Sequence, residues 1–60
     1  MKREKYIITF YYPEQNIKPG EQYSIYTQYI LARSVEEAEE IFINKNSNRF
    51  IILETKLLIE

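Results

Sequence analysis

Tyrosine supplies six of the 60 residues, and three recur at every third position of QYSIYTQYI (residues 22–30): Tyr23, Tyr26 and Tyr29. Phenol rings at this density can stack nucleobases. They can also offer a partner protein large area, few rotatable bonds and a hydroxyl that tolerates water. A third chemistry, nucleophilic attack, needs a base or a larger set of cations or metal beside the phenol. The chain has no His, no Cys and no Asp. Ser24, Ser34 and Ser47 remain, with no base placed to activate any of them. Disulfides and the common zinc sites are excluded.

The run EEAEE (residues 36–40) puts Glu36 and Glu40 one helical turn apart. A cation site needs more hard ligands converging on one point. Carboxylates at glycosidase spacing can be drawn from the glutamates, but so short a chain offers no cleft to hold a sugar. A solvated helix face accounts for the run, and so small a patch makes a poor mimic of nucleic acid. The reading is therefore non-enzymatic, with no catalytic residue, no metal and no cofactor.

Sixty residues make one domain, 1–60, and bury only about 60% of the unfolded surface. Small scaffolds usually need a disulfide, a metal or a second subunit. With the first two removed, self-association is the expected support. Net charge is −1, which gives no general pull toward nucleic acid or anionic membrane. The charge is uneven: residues 1–33 carry five Lys/Arg against three Glu, and residues 34–60 carry three against six. The start, MKREKYIITFYY, is basic then apolar, too short for a signal segment and without a cleavage site. No run approaches the ~18 apolar residues of a membrane span. The expectation is a soluble cytoplasmic protein with no membrane partner, in the host cytoplasm if the chain is viral.

These side chains must be positioned by four elements. KYIITFYY (5–12) is β-branched and aromatic, the composition of a strand. PEQNIKPGEQ (13–22) holds both prolines and the one glycine, with Pro19-Gly20 as a turn signal. Ile, Thr and Tyr make a second strand of the quoted stretch, running to Ala32. SVEEAEEIFINK (34–45) is a helix. Ser34 and Glu37 form a capping box, and Glu36 and Glu37 favour the positive end of the dipole. Val35, Ala38, Ile41 and Phe42 make its apolar stripe. NKNSN (44–48) ends it, since Asn tolerates the left-handed conformation. RFIILETKLLIE (49–60) is a third strand.

The expected fold class is α+β: a three-stranded antiparallel sheet with one helix packed on one face (ββαβ), dimeric, with the first strand central. Strand side chains alternate faces. Tyr6, Ile8, Phe10, Tyr12, Tyr26, Ile30, Ala32, Ile51, Leu53, Leu57 and Ile59 are expected under the helix, with Gln28 a misfit among them. The other face would carry Ile7, Thr9, Tyr11, Tyr23, Ile25, Thr27, Tyr29, Leu31, Phe50, Ile52 and Leu58, interrupted by Glu54 and Lys56. A monomer would keep that face polar, and a contiguous apolar patch marks an interaction site. Tyr11, Tyr23, Ile25, Tyr29 and Leu31 are the candidate partner-binding residues.

The first partner expected is a second copy of the chain, and a different protein is next. Nucleic acid would use the same aromatic face, but few cations are interleaved there and no ribonucleoprotein motif is present. A self-assembling structural subunit is a further alternative, through open strand edges. The segment YILARSVEEAEEIF (29–42) resembles one found in many small ββαβ accessory proteins of phages and mobile elements. The resemblance implies an inhibitor or modulator that binds a host protein; it carries no site motif, so it assigns no functional residue.

Overall fold

A computed structural model describes residues 2–59. In chain order the elements are β1 (Glu4–Tyr11), β2 (Tyr26–Ala32), α1 (Val35–Lys45) and β3 (Ile51–Leu57). The sheet is antiparallel with order β2-β1-β3, so the most apolar strand is central. α1 connects β2 to β3 across one face, giving the ββαβ arrangement of an α+β fold.

Alternation holds through β1 and β2. Tyr6, Ile8, Phe10, Ile30 and Ala32 are buried beneath Ala38 and Phe42 of the helix. The two alanines let α1 approach the sheet, and Phe42 fills the space beyond, its ring 4.6 Å from Phe10. Ser34 accepts from the Glu37 N–H at 3.1 Å, as the capping box requires. The Glu37 carboxylate accepts from the Arg33 N–H at 3.2 Å, one residue ahead of the cap itself. Val35, expected in the apolar stripe, is exposed in the first turn.

The helix ends without a left-handed asparagine. Asn46 is extended (φ −109°, ψ 119°), and its side-chain amide donates to the Phe42 carbonyl at 2.9 Å. Its backbone N–H donates to the same oxygen at 3.2 Å. Gly20, at φ +86°, follows Pro19 in a turn closed by the Glu21 N–H on the Lys18 carbonyl at 3.0 Å. This is a type II turn, and glycine at its third position is what that geometry demands.

The strands need further correction. The second strand begins at Tyr26, not in the run through Tyr23, so the loop covers residues 12–25. β1 ends at Tyr11, and its last pair with β2 is Phe10 with Tyr26. Ahead of that pair the Gln15 side chain takes both backbone groups of Ser24. Its amide donates to the Ser24 carbonyl at 3.0 Å, and its oxygen accepts from the Ser24 N–H at 2.9 Å. Tyr26 does lie on the helix side, stacked 5.9 Å from Phe10, but beyond the helix it is 45% exposed and forms a rim, not the core.

The larger correction is in β3. Thr9 pairs with Glu54 and Phe10 with Ile52, so the register shifts and Leu53 has no partner. A bulge of this kind turns every residue beyond it onto the other face. Phe50 and Ile52 therefore pack under the helix, Phe50 with its ring 4.7 Å from Phe42. Ile51, opposite Tyr11, faces away. Leu53 is half exposed, not core, and Ile59 is largely exposed. Leu57 stays in phase opposite Tyr6, though exposed at the sheet margin. The expected third strand, 49–60, shortens at both ends, and Glu60 lies outside the described residues.

Candidate interaction surface

β1 holds the open face in register, and the cross-strand pairs lay it out in rows. Leu31 lies beside Lys5; Tyr29, Ile7 and Lys56 form the next row; Thr27, Thr9 and Glu54 follow; Tyr11 and Ile51 close it. Tyr23, outside the strand, turns back so that its ring lies 5.0 Å from Tyr11. The Lys5 ammonium sits 5.9 Å from the centre of the Tyr29 ring, within the range of a cation–π contact. The Lys56 ammonium lies 3.8 Å from the Glu54 carboxylate.

The candidate residues thus separate. Tyr11 and Tyr23 make one aromatic end, to which the bulge adds Ile51. Tyr29 and Leu31 make a second group along β2, each 59% exposed. Threonines and the Glu54–Lys56 pair separate the two groups, so the face is two apolar areas across a polar belt. Ile25, half exposed, leads into β2 without belonging to it. Phe50 and Ile52 are absent from this face. Sequence reasoning missed Ile51, though a signal existed: strict alternation forced Phe50 and Ile52 into phase with Glu54 and Lys56. An aromatic in phase with two charges is a conflict that a bulge resolves.

The two outer strands differ. The Leu58 N–H donates to the Lys5 carbonyl at 2.9 Å, so Lys5 directs its backbone toward β3. Backbone groups alternate sides along a strand. Tyr6, Ile8 and Phe10 therefore pair toward β2, with Ile30, Gln28 and Tyr26. It follows that Thr27, Tyr29 and Leu31 direct their N–H and C=O groups away from the sheet, where no strand of the described residues meets them. β2 (YTQYILA) carries no charge, proline or bulge. The other edge, β3, has the bulge, Glu54 and Lys56. Bulges and charges are the usual means of protecting an edge strand from pairing, and β2 has neither.

Elsewhere the surface offers little for chemistry. A depression of about 270 Å³ is lined by Tyr12, Glu14, Gln15, Asn48 and Arg49, with Arg49 3.7 Å from Glu14 across it. Among the described residues no group of three or more acidic side chains is placed to hold a metal ion. Among them, too, no helix is long and apolar enough to cross a membrane.

The chain is open for its size. Its radius of gyration is 13.1 Å, where a compact chain of 60 residues would have about 10 Å. Its accessible surface is 4843 Å², where a monomer of this mass would show about 4,200 Å². Comparison with known proteins finds no matching family model, no matching curated protein and no matching solved structure.

Proposed function

We propose that this chain is a non-enzymatic protein-interaction module that works as a homodimer, the second copy docking along the β2 side of the open sheet. The observation that carries the reading is the uncharged β2 edge with Tyr29 and Leu31 standing exposed beside it. The excess surface points the same way. Roughly 600 Å² above the monomer expectation is the greater part of the ~800 Å² that one partner contributes to a standard interface. Tyr23 and Ile25 flank the same side, and Tyr11 supports Tyr23 from behind.

The dimer would present two copies of the aromatic end formed by Tyr11, Tyr23 and Ile51. Binding and modulation of a host protein, as the resemblance of residues 29–42 implies, is the task proposed for that doubled surface. The nucleic-acid alternative has less support, because Glu54 stands beside Lys56 on the very face that would meet phosphates. The chemistry available to an enzyme is also thin, since the sequence supplies no His, Cys or Asp.

The test is Tyr29→Glu, followed by sedimentation equilibrium over a wide dilution series. The wild type is expected to dimerise. The variant should keep its helical circular dichroism and lose about tenfold or more in dimer affinity, about 1.4 kcal/mol. Equal association of the two proteins would remove Tyr29 from the contact, and a wild type that stays monomeric at the highest concentrations would end the homodimer reading.

A further inference from the structure

We infer that two copies pair antiparallel along β2, with Tyr29 opposite the partner's Tyr29, joining two three-stranded sheets into one of six strands. This rests on the homodimer reading and specifies its contact.

The direction of the backbone groups gives the first reason. Only Thr27, Tyr29 and Leu31 of β2 point outward, so they alone can bond a neighbouring strand. An antiparallel partner related by a two-fold axis places the same strand on both sides of the seam. Tyr29 is the midpoint of β2 (Tyr26–Ala32). Centring the axis there sets Thr27 opposite the partner's Leu31, and every outward N–H and C=O of the three residues finds a mate. No other centre uses the full length of the strand.

The side chains agree with that register. On the open face the two Tyr29 rings become cross-strand neighbours, each with a Thr27–Leu31 pair beside it. Aromatic and β-branched cross-strand pairs are among the more stabilising in a sheet. On the helix face the half-exposed Tyr26 falls opposite the partner's Ala32, beside the start of the helix that covers it. β2 itself carries no charge; on the open face the Lys5 ammonium sits over the Tyr29 ring. The β3 edge does not offer this: its bulge breaks the straight run, and antiparallel pairing of two β3 strands would bring Glu54 and Lys56 into the contact.

Amide hydrogen exchange, read residue by residue by NMR at concentrations above and below the dimer midpoint, tests the contact. In a monomer the Thr27, Tyr29 and Leu31 amides face solvent and exchange freely. In the proposed dimer they should slow by about tenfold or more above the midpoint and lose that protection on dilution. A dimer by mass in which these three amides stay fast overturns the edge pairing and leaves the homodimer reading standing. A monomer at every concentration overturns both.

The register has its own test, because the chain has no native cysteine. Paired Cα atoms at the axis would lie about 5.5 Å apart, with side chains on the same face, within reach of a short bifunctional thiol reagent. Tyr29→Cys should therefore cross-link to a covalent dimer with that reagent, while Thr27→Cys, displaced from the axis by two residues on each strand, should stay largely uncrosslinked. The opposite pattern would refute the Tyr29-centred register.

Discussion

At the scale of single residues, Ser34 shows how a local hydrogen bond fixes where the helix starts. Its hydroxyl accepts from Glu37, and its own carbonyl accepts from the Ala38 N–H at 3.0 Å. Together they set the first turn over the buried Ala32 and Ala38. Ser34→Ala is expected to lower stability by about 1 kcal/mol, a fall in melting temperature of about 4–8 °C for a domain this small. Ser34→Asp should restore most of it, because Asp caps equally well. A thermal melt of the three proteins by circular dichroism decides this. If alanine and serine melt together, the N-cap bond contributes nothing to the fold. Gln15 works in a similar way on the loop, where one side-chain amide replaces a missing ladder partner for Ser24. Gln15→Ala should leave the melting temperature within about 1 kcal/mol equivalents of wild type but speed proteolytic cleavage between residues 13 and 25. A cleavage rate unchanged from wild type would show that the loop is held by other contacts.

At the scale of elements, the β3 bulge decides which side chains are core. Strict alternation places Ile51 under the helix and Ile52 outside; the shifted register does the reverse. Ile52→Glu should therefore place a charge in a partly buried position opposite Phe10 and destabilise the fold by several kcal/mol. Ile51→Glu, on the open face near Tyr11, should cost about 1 kcal/mol or less. Urea unfolding of the pair tells the two registers apart, and a more damaging Ile51→Glu would mean that β3 has no bulge. This element also marks the limit of what could be read from the chain. Period-two alternation predicts the faces of β1 and β2 because both run unbroken, and the S-x-x-E signal places the helix start. The Pro19-Gly20 turn is equally plain. The bulge left only the phase conflict between Phe50 and Lys56. The end of β1 at Tyr11, which shortens β2, depends on a Gln15–Ser24 pairing that no composition rule contains. For the candidate surface, Tyr29 and Leu31 were legible from parity alone. Tyr23 reaches the same face by folding back on Tyr11, and Ile25 only leads into the strand.

At the scale of the whole molecule, a thin core has to be reconciled with a stable fold. Among the described residues seven are buried as hydrophobic core, and of their large side chains just Phe42 and Ile8 are excluded fully from water. The principal dimensions are 46 × 25 × 12 Å, a flat, elongated body with one face of the sheet open. So small a core rarely supplies more than about 3–5 kcal/mol alone. A second copy would add burial at the β2 seam, and folding would then be linked to protein concentration by mass action. Raising the concentration 100-fold shifts the free energy of a folded dimer by about 2.7 kcal/mol, which for two chains of this size is a rise of roughly 10 °C in melting temperature. Scanning calorimetry from micromolar to hundreds of micromolar protein should show that rise in the wild type. Tyr29→Glu should melt lower at high concentration and converge on the wild type at low concentration, since there both are monomers. A wild-type melting temperature that does not move across the range would mean that the β1-centred core suffices by itself. The exposed edge of β2 would then be vacant in solution and open to a different strand.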